Sequence, residues 1–129
     1  MKDLEQKIKQ HLEERGWDNL RPSDVAKSIM IEGAELLEIF QWENLSLTEI
    51  RGDEEKLAKI KKELADVIIY ALTMSTSLGF EIDEIVNDKL EHIAKKYPAE
   101  LMKQNAQSGS GSDTEYWRIK EEYRKKGNN

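Results

Sequence analysis

The chain has 129 residues, a length typical of one domain. Its 20 Lys and Arg residues are outnumbered by 26 Asp and Glu residues, and the net charge of -6 argues against nucleic-acid binding, which needs a positive surface. The absence of cysteine excludes disulfides and thiolate metal sites. The N-terminus has no apolar signal segment, and no apolar run approaches the ~20 residues that span a bilayer. We therefore expect a cytoplasmic protein without nucleic-acid or membrane partners.

Five helices are predicted from the spacing of apolar residues and from residues that start or stop helices. The second is expected to be capped by Ser23 or Asp24, and the third to lie between an N-cap at Asp53 and a stop at Gly79. The fourth is expected to turn an apolar face inward, formed by Ile82, Ile85, Val86, Leu90 and Ile93. The predicted helices cover residues 2–15, about 23–43, about 54–78, about 82–96 and about 114–126.

Four substantial helices joined by short loops predict an all-α fold of the four-helix-bundle type. Residues 104–113 are rich in serine, glycine and other polar residues, which is typical of a flexible linker. We therefore expect a folded domain over residues 1–103, a linker over 104–113, and an additional C-terminal helix with its tail over 114–129.

Carboxylates recur at helical spacing on the second and third predicted helices. Glu32, Glu35 and Glu38 are three residues apart and share one helix surface, and Glu63 and Asp66 repeat this spacing. If the two helices form an antiparallel pair, the acidic patches face each other. Mg²⁺ prefers oxygen ligands and is commonly held by a few carboxylates together with substrate phosphates. We interpret these carboxylates as ligands of a divalent metal that holds a nucleotide's phosphates, while the spacing alone is more often that of a solvated helix face.

A di-iron or di-manganese bundle is the competing metal site, and it requires Glu-x-x-His motifs. Ile8 and Lys89 stand three residues before His11 and His92, so the motif is absent.

Aromatic and basic residues supply candidate substrate contacts. Trp17 and Trp42 can stack on a base or pack in a core or a dimer interface. Tyr70 follows Asp66 by one helical turn and is either a core residue or a ligand contact. Three further residues, Lys89, Lys96 and Tyr97, are candidate phosphate contacts, although lysines on a helix also form ordinary solvated faces.

An ordered series of motifs extends from about residue 13 to residue 98. Its parts are Glu13-Glu14-Arg15-Gly16-Trp17, Pro22, Glu32-Gly33-Ala34-Glu35-Leu36-Leu37-Glu38-Ile39-Phe40-Gln41-Trp42, Glu63-Leu64-Ala65-Asp66-Val67-Ile68-Ile69-Tyr70, Asn87-Asp88-Lys89 and Lys95-Lys96-Tyr97-Pro98. The series resembles the MazG-like nucleotide pyrophosphohydrolases of the all-α NTP pyrophosphatase superfamily, and it is most similar to their dCTP pyrophosphatase branch. The ordered combination is more specific than any one motif.

The resemblance implies an all-α fold that assembles as a homodimer or a dimer of dimers. It also implies hydrolysis of a nucleoside triphosphate to monophosphate and pyrophosphate, with Mg²⁺ as the cofactor and Mn²⁺ as an alternative ion. By position, the metal ligands it implies are Glu32, Glu35, Glu63 and Asp66. The base and sugar contacts are Trp17, Trp42 and Tyr70, and the basic residues near the phosphates are Lys89 and Lys96.

Two segments depart from the branch. A Phe-His pair usually precedes the proline, whereas here the residues are Leu20 and Arg21 in a loop one residue shorter. An asparagine usually stands four residues before Tyr-Pro, and Ile93 takes its place. Both segments contact ligand in the branch, so base and sugar preference stay open.

The mechanism we expect is metal-assisted attack of water on the triphosphate, with release of pyrophosphate. Glu35 and Glu38 are the candidate general bases, because a base must reach the water while other acids hold metal. The substrate is expected to be a pyrimidine nucleotide such as dCTP, and the biological role to be cleaning of the nucleotide pool. The alternative is a helical module that binds a nucleotide or a protein without turnover.

Overall fold

The computed structural model describes residues 1–108 and 112–127, and all regular structure in these ranges is α-helical. The all-α prediction is therefore confirmed. No single helix of the described residues is long and apolar enough to cross a membrane. Among these residues, only the bent pair Glu54–Leu78 and Ile82–Lys96 meets that criterion, on length and composition alone. The helices are α1 Lys2–Glu14, α2 Pro22–Glu38, α3 Leu47–Arg51, α4 Glu54–Leu78, α5 Ile82–Lys96, α6 Ala99–Ser108 and α7 Ser112–Lys125.

Helix α2 begins and ends earlier than predicted. Arg21 is its N-cap and Pro22 its first residue, a position that proline favours because the missing N–H has no partner there in any case. At the other end, the N–H groups of Ile39 and Phe40 donate to carbonyls only three residues back, which tightens the last turn. The segment from Phe40 to Trp42 therefore lies in turns, and the prediction of a helix to residue 43 is wrong.

Helix α4 has the predicted bounds. The Asp53 carboxylate accepts the Lys56 N–H at 3.0 Å and caps the first turn, while Gly79 ends the helix in the left-handed conformation with φ 76°. The short α3 was not predicted. It is held by a capping box, in which Ser46 and Glu49 each accept the other's backbone N–H.

Residues 104–108, which the prediction assigned to the linker, are helical, because α6 continues to Ser108. Ala106 and the glutamines Gln104 and Gln107 have good helix propensity, and the Gly-Ser run begins only after them. Residues 109–111 of the predicted linker lie outside the described residues. Helix α5 has the predicted bounds, and α7 begins two residues before the predicted start at 114.

The chain divides into two compact units, Met1–Ile82 and Asp83–Asn129. In the first unit, Ile8, Leu12 and Leu72 form a buried cluster against which Ile82 packs. Glu5 of α1 accepts the Ile82 N–H at 2.8 Å, which ties the first helix to the end of this unit. The division into a 1–103 domain, a linker and a tail stays a prediction.

The expected inward face of α5 is exposed. Ile85, Val86, Leu90 and Ile93 are 43%, 47%, 56% and 39% exposed. The prediction that these side chains form a core within the chain is therefore wrong. A contiguous apolar stripe open to solvent is typical of a surface that another protein covers.

Candidate active site on α2 and α4

Helices α2 and α4 pack as an antiparallel pair. Ser28, near the start of α2, shares a cavity with Thr73, near the end of α4. Glu38, at the end of α2, shares a cleft with Lys56, near the start of α4. The acidic patches of the two helices therefore face each other, as the antiparallel pairing predicts.

Three carboxylates meet where the two helices face each other. Glu32 of α2 and Glu63 and Asp66 of α4 are half-buried, and each offers an oxygen within 4.8 Å of the other two. The Glu32 Oε2 and Glu63 Oε2 atoms are buried and have no hydrogen-bond partner among the described residues. Buried carboxylate oxygens without a partner are costly. A divalent cation would satisfy them, because hard cations prefer oxygen ligands of this kind. The three carboxylates therefore fit a divalent metal ion.

Glu35 borders this trio. Hydrogen bonding to Glu32 and the charge of Glu32 are the main causes that raise the pKa of Glu35, while a hydrogen bond with Glu63 opposes them. Burial, followed by hydrogen bonding to Glu35 and its charge, raises the pKa of Glu63. Like charges in contact disfavour ionisation of both groups. Without a cation, the Glu35 and Glu63 carboxyls therefore retain their protons to a higher pH than separate glutamates would.

These raised pKa values predict that the metal-free protein loses stability as the pH rises above about 4.5, the ordinary glutamate value. Above that pH the unfolded state releases protons that the folded cluster still holds, so the free energy of unfolding falls until the raised pKa is passed. Urea unfolding in EDTA from pH 4.5 to 7.5 measures the effect. The free energy of unfolding of Glu35→Gln should decrease less steeply with pH than that of wild type over this range. If the free energy of unfolding had the same pH dependence in both proteins, the raised pKa values of Glu35 and Glu63 would be contradicted.

A charged cleft of about 740 Å³ extends from the acids toward the start of α4. Glu35, Glu38 and Glu63 line it together with Lys56, Lys59 and Lys62, so the structure brings the two predicted catalytic glutamates into one cleft. The three lysines are not among the residues predicted from the sequence. Their spacing of three residues on the helix that carries Glu63 was a signal that they share a face with it.

An apolar cavity of about 400 Å³ lies on the other side of the acids. Two predicted base contacts, Trp17 and Tyr70, line it, and Tyr70 lies about 6 Å along α4 from Asp66. Trp17 also makes an edge contact with the His11 ring, with 6.1 Å between ring centroids. Five further lining side chains are apolar and come from α1, α2, α4 and the α1–α2 loop: Ile8, Leu12, Leu20, Val25 and Ile69. The polar lining residues are His11, Asp24, Ser28 and Thr73.

Trp42 is not brought to this cavity. It is 87% exposed in the turn after α2, where it lines a separate cleft with its sequence neighbours. Its contact with a base stays a prediction from the resemblance. Lys89, Lys96 and Tyr97 lie in the second unit, around a cavity of about 360 Å³, and their role as phosphate contacts is likewise a prediction.

Comparison with known proteins places this geometry in context. The sequence model of the MazG-like family matches residues 27–111. Human and rat dCTP pyrophosphatase 1 are each 26% identical over 95 residues, covering 72% of this chain and 56% of the relative. The chain thus spans about half the length of the curated relatives it matches.

The chain is also similar to a solved structure, with a higher sequence identity than that of the dCTP pyrophosphatases. The crystal structure of a pyrophosphatase from Archaeoglobus fulgidus is 37% identical to this chain, with a TM-score of 0.67. The alignment covers 76% of this chain and 92% of the other. The likeness therefore extends over most of both folds.

Proposed function

The chain belongs to the MazG-like family, and we propose that it hydrolyses a nucleoside triphosphate to the monophosphate and pyrophosphate. The observation that carries this proposal is the acid trio with two unpartnered, buried carboxylate oxygens. Along the helix pair it lies between the apolar cavity, lined by residues near the start of α2 and the end of α4, and the cleft that carries lysines. A nucleotide has the same order of parts: an apolar base, the phosphate nearest the sugar, and further phosphates.

Mg²⁺ is the cofactor we propose, and Glu32, Glu63 and Asp66 would hold it, with Glu35 as a further ligand or the base. When bound, the ion would neutralise charge on the phosphate oxygens and lower the pKa of water. The trio fits an oxygen-preferring ion because all of its donors are carboxylates. Mn²⁺ takes similar ligands and is the alternative.

Glu35 is the general base we favour. Its carboxylate interacts directly with Glu32 and Glu63, whereas Glu38 influences Glu35 through charge alone. In the proposed step, the oxygen of water bonds to the phosphorus next to the sugar and its proton passes to Glu35. The bond from that phosphorus to the bridging oxygen breaks, and the oxygen leaves with pyrophosphate.

Lysines would offset the negative charge that develops on the departing group. Lys59 and Lys62 line the cleft beside Glu63 and are candidates for this role. Lys89 and Lys96 are the candidates from the resemblance. The substrate we propose is a pyrimidine deoxynucleotide such as dCTP, by likeness to dCTP pyrophosphatase 1. Removal of unwanted nucleotides from the pool, in the cytoplasm, is the corresponding biological role.

A homodimer, or a dimer of dimers, is the assembly we propose. The exposed apolar stripe of α5 supports it, because that stripe would be covered by a second copy of the chain. On α4, Leu64 and Ile68 are also 47% and 40% exposed, which adds apolar surface of the same kind.

A nucleotide panel tests the activity. The folded protein is incubated with dCTP, dUTP, dTTP and the ribonucleotides, with Mg²⁺ or with EDTA, and pyrophosphate is assayed. We expect Mg²⁺-dependent release from a pyrimidine nucleotide and none in EDTA. A protein that is thermally stabilised by nucleotides yet releases pyrophosphate from none of them would be a binding module instead.

A further inference from the structure

The second unit contains a cavity of about 360 Å³ whose charged lining is entirely basic among the described residues. Helix α5 and the residue that follows it contribute one side of the lining, and α7 contributes the other. Only residues 27–111 match the family, so α7 lies outside that match. The lining residues are Lys89, His92, Ile93, Lys96, Tyr97, Tyr116, Lys120 and Arg124.

The cations of α7 fall into two groups. Arg118 and Lys125 pair with carboxylates of their own helix, Glu122 at 2.8 Å and Glu121 at 3.5 Å. Lys120 and Arg124, in contrast, have no carboxylate partner among the described residues, and they stand four residues apart. Like charges at this spacing repel each other. The two cations that point toward the cavity are thus the ones that α7 leaves uncompensated.

Lys96 adds a further cation that is only 8% exposed. Its ammonium lies 5.4 Å from the centre of the Tyr97 ring and 5.0 Å from that of Tyr123. Lys120 likewise lies over Tyr116, and the Tyr97 and Tyr116 rings stack with 4.9 Å between their centres. The ring faces hold the ammonium groups in place. Lys120 also donates one hydrogen bond to the Tyr116 hydroxyl at 3.4 Å. An ammonium has three donors, so further donors are left for a ligand.

His92 provides an independent indication of a ligand. Its Nε2 atom is buried and has no hydrogen-bond partner among the described residues, although the ring makes an edge contact with Tyr123 at 5.9 Å. Buried ring nitrogens are normally satisfied. In the tautomer or charge state that carries a proton on Nε2, this atom would donate to an oxygen in the cavity.

We propose that this cavity binds a phosphate-bearing anion, and that Lys120 and Arg124 of α7 bind its oxygens together with His92. A guanidinium and an ammonium suit phosphate oxygens, the first by paired donors and the second as a compact charge. Lys89 and Lys96, the phosphate contacts that the resemblance implies, line the same cavity, so the proposal deepens the proposed function at this point. What it adds is the part taken by α7 and His92, and it requires no hydrolysis. The anion is either a free phosphoanion such as pyrophosphate or the phosphates of a nucleotide.

Calorimetric titration with inorganic pyrophosphate in EDTA tests the proposal, because EDTA removes any metal that would bind the anion at the acids. We expect wild type to bind one pyrophosphate per chain. The variant Lys120→Gln/Arg124→Gln should bind at least about tenfold more weakly, since charge-assisted hydrogen bonds are lost. The matched control, Lys125→Gln/Lys126→Gln, removes two charges from the same end of α7 and should bind as wild type does.

Absence of binding by wild type, or equal affinity of wild type and Lys120→Gln/Arg124→Gln, would overturn the proposal. Arg124→Lys with native Lys120 guards against misfolding of the double variant, because it keeps the charge and should retain most of the affinity. Displacement of pyrophosphate by a non-hydrolysable nucleoside triphosphate would identify nucleotide phosphates as the ligand. Lack of displacement would identify a free phosphoanion.

The Asp66→Asn variant separates this proposal from the proposed function. It should bind pyrophosphate in EDTA as wild type does, whatever its effect on hydrolysis. If wild type hydrolyses nucleotides but binds no pyrophosphate, the proposed anion site in this cavity is overturned and the proposed function stands. A protein that binds pyrophosphate but hydrolyses no nucleotide would overturn the proposed function alone.

Discussion

Asp66→Asn is expected to lower kcat/KM for pyrophosphate release by about 10³-fold, since a metal contributes several kcal/mol of charge stabilisation and each 1.4 kcal/mol is a factor of ten. Asparagine keeps the size of the side chain but loses the negative charge that a divalent ion needs. Asp66 is half-buried, and one of its oxygens lies within 4.8 Å of an oxygen of each partner carboxylate. Pyrophosphate release at saturating Mg²⁺ and varied nucleotide measures the change.

Thermal unfolding gives a readout that does not depend on turnover. Mg²⁺ should raise the melting temperature of wild type by binding the folded state, and should leave that of Asp66→Asn nearly unchanged. Glu54→Gln is the control, because it removes one exposed charge from the same helix outside the cleft, and it should behave as wild type. A folded Asp66→Asn protein with wild-type kcat/KM would show that the trio does not hold the catalytic metal.

The acid trio could be predicted because its spacing is a local property of two helices. Glu32 and Glu35 on one helix, and Glu63 and Asp66 on the other, share a face once each helix forms. Their meeting follows from antiparallel pairing, which short connections between neighbouring helices favour. The bounds of α4 were predictable for a similar reason, since both signals are local. Asp53 caps the helix through a hydrogen bond within its first turn, and Gly79 ends it through its own positive φ angle.

The apolar cavity and the end of α2 depend on packing that no local pattern contains. Trp17 comes from a loop and Tyr70 from α4, and only the packing of α1, α2 and α4 brings them to one cavity. At Phe40 to Trp42 the apolar spacing continues, yet the hydrogen bonds tighten and the helix ends. Propensity does not determine such an end, because tertiary packing routinely overrides it.

The exposed stripe of α5 shows another limit of sequence reasoning. An apolar face on a helix predicts that something covers it, but not whether the cover comes from the same chain. Leu90 is 56% exposed although its spacing is that of a core residue. Periodicity therefore identified the apolar face of the helix but not what covers it.

Trp17→Ala is expected to raise KM for the preferred nucleotide by about tenfold to 100-fold with little change in kcat, because stacking on an aromatic ring contributes about 1–3 kcal/mol per base. Trp17 is 51% exposed at the apolar cavity, so one face of its ring is available to a ligand. The cavity holds the base in the ground state and the transition state alike, and such uniform binding changes KM rather than kcat. Initial rates over a range of nucleotide concentrations separate the two parameters.

Trp17→Phe keeps an aromatic face and should recover most of the lost affinity, whereas loss of packing alone would not depend on aromaticity. Met30→Ala is the control for removing a large exposed side chain, because Met30 is 73% exposed on α2 and does not line the cavity. Selectivity among nucleotides gives a second readout, since a base bound elsewhere would be discriminated equally well by Trp17→Ala and wild type. An unchanged KM for every nucleotide, in a variant with wild-type helicity, would place the base outside this cavity and leave the acid trio as the site of the phosphates alone.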